Sequence, residues 1–148
     1  MNTASSTTSV SLRDVHRFVV VAEDDDDMRH LVTESLRTDG NIVRSVASGR
    51  ELLAVLSGSA RGRSAVPSLV VTDLRMPQGS GMDVLNALRL AGWKVPVVVM
   101  TGFGDAEVHA QAKRLGAVMV LDKPFDLDAL RDVARAYLRE PNVGGAER

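Results

Sequence analysis

The sequence predicts an α/β protein built on a doubly wound parallel sheet, and three observations carry that prediction. Five short apolar runs recur along the chain, segments with helical spacing of apolar residues separate them, and chemically reactive side chains directly follow four of the runs. Continuous apolar runs of this length suit strands covered on both faces, and parallel strands need helical crossovers. Right-handed crossovers then wind the sheet both ways, with the ligand site beyond the carboxyl ends of the strands, near a switch in strand order.

The first run is Phe18 to Ala22, β-branched in its middle. A helix follows on the spacing of Met28, Leu31, Val32 and Leu36, with Gly40 as its stop. Asn41 to Ala47 reads as a weaker strand carrying Ile42, Val43 and Val46. Ser48, three residues before Glu51, forms a capping-box pattern ahead of Leu52, Leu53, Val55 and Leu56. Ser57 to Ser64 reads as a loop, Leu69 to Val71 as the third strand and Val95 to Met100 as the fourth. Between these two strands, Val84, Leu85, Leu88 and Ala91 mark a helix that Gly92 ends. Ala106 to Leu115 is a helix with Val108, Ala112 and Leu115 on one stripe, stopped by Gly116. Ala117 to Leu121 is the fifth strand, and Asp126 caps a last helix that turns Leu127, Leu130, Val133, Ala134, Tyr137 and Leu138 inward.

A chain of 148 residues fits one domain, expected over residues 17–139 between an N-terminal tail, 1–16, and a C-terminal tail or linker start, 140–148. Cysteine is absent, which excludes disulfides and thiolate chemistry. The net charge of −1 gives no reason to expect direct nucleic-acid binding. Met1 to Leu12 has neither the basic start nor the apolar run of a secretory signal, and no apolar stretch is long enough to span a bilayer. The expectation is a soluble cytoplasmic protein.

Function is written at the strand ends. Glu23 and the aspartates 24–27 follow the first strand, Asp73 the third, Thr101 the fourth and Lys123 the fifth. Carboxylate oxygens that leave room for water and phosphate suit Mg²⁺. An ammonium and a hydroxyl would satisfy phosphoryl oxygens, and a carboxylate can itself be a nucleophile. Each piece alone has a plainer explanation: an acidic run compensates a helix dipole, and Thr101-Gly102 or Lys123-Pro124 alone is an ordinary turn. Their joint placement at four strand ends is what points to chemistry.

Val19 to Asp24, Val70 to Pro77, Gly79 to Met82, Met100 to Gly102 and Asp122 to Phe125 together resemble the receiver domains of two-component response regulators, from about Arg17 to Leu138. The resemblance implies a flavodoxin-like sheet in the order 2-1-3-4-5 flanked by five helices. It implies that Asp73 takes a phosphoryl group from a sensor histidine kinase or histidine phosphotransfer protein. It places Mg²⁺ on Asp24, Asp73 and the Arg75 backbone carbonyl, with Glu23 acting through water. Lys123 and Thr101 would bind phosphoryl oxygens, with a cis Lys123-Pro124 bond. The surface from the fourth helix through the fifth strand and helix would contact an effector or a dimer partner, with Val108, Val118 and Tyr137 either there or in the core. Turnover would be limited to slow self-phosphorylation and autodephosphorylation.

The acidic run leaves two registers for the metal pair, Glu23/Asp24 and Asp24/Asp25; the spacing to Met28-Arg29 favours the first. Val120 stands where the family carries an aromatic switch residue, and a buried valine has no ring to rotate. The loop from Ser57 to Pro67, with Arg61 and Arg63, is longer and more basic than the family's usual one. The ten residues after Leu138 are too few for an output domain, which implies a stand-alone receiver or a piece of a longer regulator or hybrid kinase. Two other readings stay open: a degenerate receiver used only for protein binding, and a Mg²⁺-dependent phosphohydrolase. The second expects an acid two residues past the nucleophile, where this chain has Arg75. Phe103, two residues past Thr101, either screens the phosphoryl group from water or covers the following helix. On the first alternative Phe103→Ala loses phosphate faster than wild type in a mass-spectrometric decay series, and an unchanged rate selects the second.

Overall fold

The computed structural model describes residues 17–102 and 106–138. Its elements alternate: β1 (Phe18–Ala22), α1 (Asp26–Thr38), β2 (Ile42–Val46), α2 (Gly49–Ala60), β3 (Leu69–Asp73), α3 (Gly81–Leu90), β4 (Val97–Thr101), α4 (Ala106–Arg114), β5 (Met119–Asp122) and α5 (Leu127–Leu138). All four strand pairings are parallel, in the order β2-β1-β3-β4-β5. The order switches at β1, whose neighbours β2 and β3 carry the chain in opposite directions across the sheet.

Strand pleating sends alternate side chains to opposite faces, which produces two cores. Val19, Val21, Val71, Val98 and Met100 pack with Val32 and Leu36 of α1 and Leu130, Ala134 and Leu138 of α5. Val20, Ala22, Val70, Val97 and Val99 pack with Leu52 and Leu56 of α2, Val84, Leu85 and Leu88 of α3 and Ala112 of α4. β3 and β4 are buried along their whole length, whereas β2, on the sheet edge, leaves Ile42 exposed. Among the described residues no helix is long and apolar enough to cross a membrane.

The expected Ser48 and Asp126 caps form, and Asp25 and Ser80 cap two further helix starts. Ser48 Oγ accepts from the Glu51 amide at 3.1 Å, and Glu51 Oε1 accepts from the Ala47 amide at 2.8 Å. Asp25 caps α1 by accepting from the Met28 amide at 2.8 Å, Ser80 caps α3, and Asp126 Oδ1 accepts from the Asp128 amide. A bidentate ion pair from Arg131 to Asp39 ties α5 to the carboxyl end of α1.

Several expectations need correction. Leu31 is 52% and Tyr137 43% exposed, because the buried stripes run through Val32, Thr33 and Leu36 and through Leu130, Ala134 and Leu138. A neighbouring residue lies about 100° away on the helix and faces water. Leu53 is turned out of its stripe in the same way. Ser57 to Ala60 is the last turn of α2 rather than loop, held by Ser59 Oγ, which donates to the Val55 and Ala65 carbonyls. β4 starts at Val97 and β5 at Met119, two residues later than expected in each case. Pro96 has no amide to pair, and the Ala117 amide is taken by the Ala112 carbonyl at the end of α4.

The first residue of α2 touches the loop after β3 where Gly49 meets Gly79: a Cβ on Gly49 would collide with the Gly79 backbone carbonyl. Gly49→Ala is expected to lose about 1–3 kcal/mol in urea denaturation through this overpacking. Gly58→Ala, further along α2 and 3.8 Å from the nearest atom, is expected to gain up to about 1 kcal/mol from helix propensity.

Candidate functional site

The carboxyl ends of β1, β3, β4 and β5 bring their last side chains to one place. The Glu23 amide donates to the Val46 carbonyl at 3.0 Å, extending the pairing one residue past β1 and holding the Glu23 side chain inward, 0% exposed. Its Oε1 accepts from Lys123 Nζ at 2.6 Å and its Oε2 from the Asp25 amide at 3.0 Å. Asp73, the last residue of β3, is buried, with Oδ2 3.3 Å from Lys123 Nζ. Asp24 is exposed, and one carboxylate oxygen each from Glu23, Asp24 and Asp73 lie within 4.8 Å of one another.

The backbone around Asp73 is tightly specified. Its carbonyl accepts from Thr72 Oγ1 at 3.0 Å, and a Cβ on Gly81 would strike that carbonyl. Gly81 belongs to the Gly79 to Met82 motif read from sequence, where it was given no role of its own; it sits one residue past the α3 cap, Ser80. Thr101 ends β4, buried, and its carbonyl accepts from the Lys123 amide at 2.7 Å. Lys123-Pro124 is cis. Arg75 sits exposed two residues past Asp73. Val120 is half-buried against the α2–α4 core rather than fully buried, because β5 is an edge strand. Val108 and Val118 are likewise half-buried against the two cores, which leaves Tyr137 as the exposed member of that trio. Phe103 lies outside the described residues, as do the two expected tails.

Sequence reasoning also passed over His109, whose Nε2 lies 2.9 Å from Asp122 Oδ1, joining α4 to the end of β5. Position alone did not mark it, since the pair forms only when α4 packs over β5.

Electrostatics follow from this crowding. Burial pushes the Glu23 carboxyl above its ordinary value; the Lys123 bond and the Asp25 amide oppose the shift, and the Asp73 charge reinforces it. Burial works against the Lys123 charge too, but its bonds to Glu23 and Asp73 and their attraction prevail and raise it. The donor set fits a small hard cation: three carboxylates offer oxygen alone, and one ammonium offsets only part of their charge.

A family model described as Response regulator receiver domain matches residues 19–135. A five-stranded parallel sheet in this order is the receiver fold, and the chain belongs to the response regulator receiver family. It is similar to FixJ, a transcriptional regulatory protein of Azorhizobium caulinodans, at 37% identity over 81% of this chain and 54% of that one. Sporulation initiation phosphotransferase F of Bacillus subtilis is 27% identical over 81% of the chain and 92% of its own length. The receiver domain of NtrX from Brucella abortus superimposes with a TM-score of 0.70 at 30% identity, covering 81% and 97% of the two chains. The chain spans only 26% of a further relative, the DctD transcriptional regulator of Pseudomonas aeruginosa. It is therefore a receiver domain of two-component signalling, a class that partners histidine kinases with effector domains.

A proton-linked test follows from Glu23. Its raised folded value means that the folded chain binds this proton more tightly than the unfolded one. Its stabilising contribution is thus complete below about pH 4.5 and is lost as pH rises through the folded value. In chelator at pH 7–8, Glu23→Gln is expected to show a higher urea midpoint than wild type, with the gap closing on acidification. Equal midpoints throughout would contradict the burial account.

Proposed function

We propose that Asp73 is the phosphoacceptor of this receiver and that Lys123 is the cation organising the transfer. The observation that carries this reading is the position of Lys123 Nζ, in contact with both Glu23 and Asp73 at the ends of β1, β3 and β5. An Asp73 oxygen attacks phosphorus, the bond from phosphorus to the donor's histidine nitrogen breaks, and the imidazole leaves with that electron pair and takes up a proton.

Asp24, Asp73 and the Arg75 carbonyl would hold Mg²⁺, with Glu23 supporting through water, because both Glu23 oxygens already have donors. Bound there, the ion neutralises charge between the acids and the incoming phosphoryl oxygens. Lys123 shifts part of its contact from the acids to a phosphoryl oxygen, and the Thr101 hydroxyl donates to another. The added charge of about −1.5 to −2 moves the populations of the segment after β4. The readout surface is α4, β5 and α5, where Tyr137 is exposed and an effector or second receiver docks. With Val120 in place of an aromatic, that coupling runs through Thr101 and the backbone rather than through a rotating ring. The domain spans residues 17–139, acts in the cytoplasm and turns over only slowly, by self-phosphorylation and autodephosphorylation.

Incubation with Mg²⁺ and acetyl phosphate, followed by intact mass, tests the assignment. Wild type is expected to gain one phosphoryl group that requires Mg²⁺, and Asp73→Asn none; Lys123→Met is expected to label at least about tenfold more slowly, since one well-placed charge is worth that much in transfer. No adduct under any condition would leave a receiver used only for binding, and rapid release of phosphate with turnover would make the protein a hydrolase.

A further inference from the structure

The end of the sheet opposite Asp73 carries a second feature. Between α2 and the end of α3 lies a groove of about 200 Å³, lined by Leu53, Leu56 and Ala60 from α2, by Ala87, Leu88 and Ala91 from α3 and its cap, and by Trp93. Among the described residues Ser57 is the one hydroxyl lining the groove. Leu53 is 40% exposed at its lip and Leu90, next to Ala91 on α3, is 81% exposed. Neither leucine is used by the two cores.

The charged residues that adjoin the lining residues in sequence are basic. From Leu52 to Gly102 the chain holds five cations, Arg61, Arg63, Arg75, Arg89 and Lys94, but only two acids, in a protein whose net charge is −1. Both acids, Asp73 and Asp83, lie at the far end, one in the acid site and one in the first turn of α3. Arg89 is committed to the fold, donating to the Trp93, Val95, Leu115 and Gly116 carbonyls. Arg61 and Lys94 directly adjoin the lining residues Ala60 and Trp93, and both are exposed. Among the described residues neither side chain is held in an ion pair.

We propose that the α2–α3 groove is a docking site for an acidic amphipathic helix of a partner protein. Such a helix lays apolar residues at i, i+3, i+4 and i+7 into an apolar channel, and acids along its flanks meet Arg61 and Lys94. A second copy of this face would set the same cations against each other, which disfavours self-pairing. Because the groove sits at the opposite end from Asp73, a partner held there leaves the acid site open, so docking and phosphorylation are compatible on one domain.

Trp93 is the chain's single tryptophan and lines the groove, so occupancy reads directly as tryptophan fluorescence. The probe is a synthetic peptide of about four helical turns with leucines on one face and glutamates elsewhere. It is compared with a shuffled peptide of the same composition and with a lysine-for-glutamate peptide. The expected result is a saturable blue shift of Trp93 emission with the acidic amphipathic peptide alone. The shift is lost in Leu53→Asp, whose urea midpoint stays at the wild-type value because Leu53 is a surface residue. Reversing both rim charges (Arg61→Glu with Lys94→Glu) should weaken binding about tenfold at low salt, the scale of two exposed ion pairs. Equal binding of the lysine or shuffled peptide overturns the proposal. So does a Trp93 shift that follows protein concentration, which would make the occupant a second copy, or one released by deleting residues 1–16 or 139–148, which would make it the chain itself. Absence of any peptide-induced shift overturns it as well.

Discussion

One ammonium group carries the architecture of the acid site. Lys123 reaches across the sheet to meet Glu23, which is fully buried, and Asp73, which is nearly so. Removing carboxylates from water costs several kcal/mol for an unpaired ion, and the Lys123 ammonium offsets that cost at the buried end of the sheet. The strand order brings the three together: β1 and β3 are neighbours, β4 and β5 complete that side, and each strand delivers one residue at its carboxyl end. The sheet is therefore an alignment device. Its parallel register sets the spacing of the groups, and the two cores hold that register by burying both faces.

The same arrangement explains how the site can be both stable and responsive. One cation among three carboxylates leaves an excess of negative charge, which the fold tolerates because Asp24 remains in solvent and Glu23 shares its charge with the Asp25 amide. Whatever adds positive charge to this cluster relieves the excess, and whatever adds negative charge redistributes Lys123. Crowded charge of this kind concentrates at functional sites.

How far the sequence could be read depended on the kind of constraint involved. Strand ends were legible because a strand buried on both faces forms an unbroken apolar run, and whatever follows it must emerge at the sheet's edge; Asp73, Thr101 and Lys123 were found in this way. The choice between Asp24 and Asp25 was legible only through the spacing to Met28-Arg29, because adjacent carboxylates are chemically alike. The capping bond from the Met28 amide commits Asp25 to α1, while Asp24 lies beside Glu23 and Asp73. Leu31 and Tyr137 were misplaced for a geometric reason: helical spacing defines a stripe, but which edge of it turns to the core depends on the neighbouring helix. Ser57 to Ala60 looked like loop because serine and glycine are weak helix formers, yet Ser59's tertiary bonds override that preference. His109 and Asp122 form a pair that no local pattern announces.

The bond between Lys123 and Glu23 joins residues 100 apart, and the pair between Arg131 and Asp39 joins residues 92 apart. Both clasps link the opening helix-and-strand unit to the closing one. A nascent chain emerging from a ribosome can form β1 to β4 and still lack the lysine, and it lacks the fastening of α5 to α1 as well. The acid cluster is thus uncompensated until nearly the whole domain has been synthesised, and chemical competence arrives together with topological closure. A truncated product ending before β5 would leave the Glu23, Asp24 and Asp73 carboxylates together without the Lys123 ammonium.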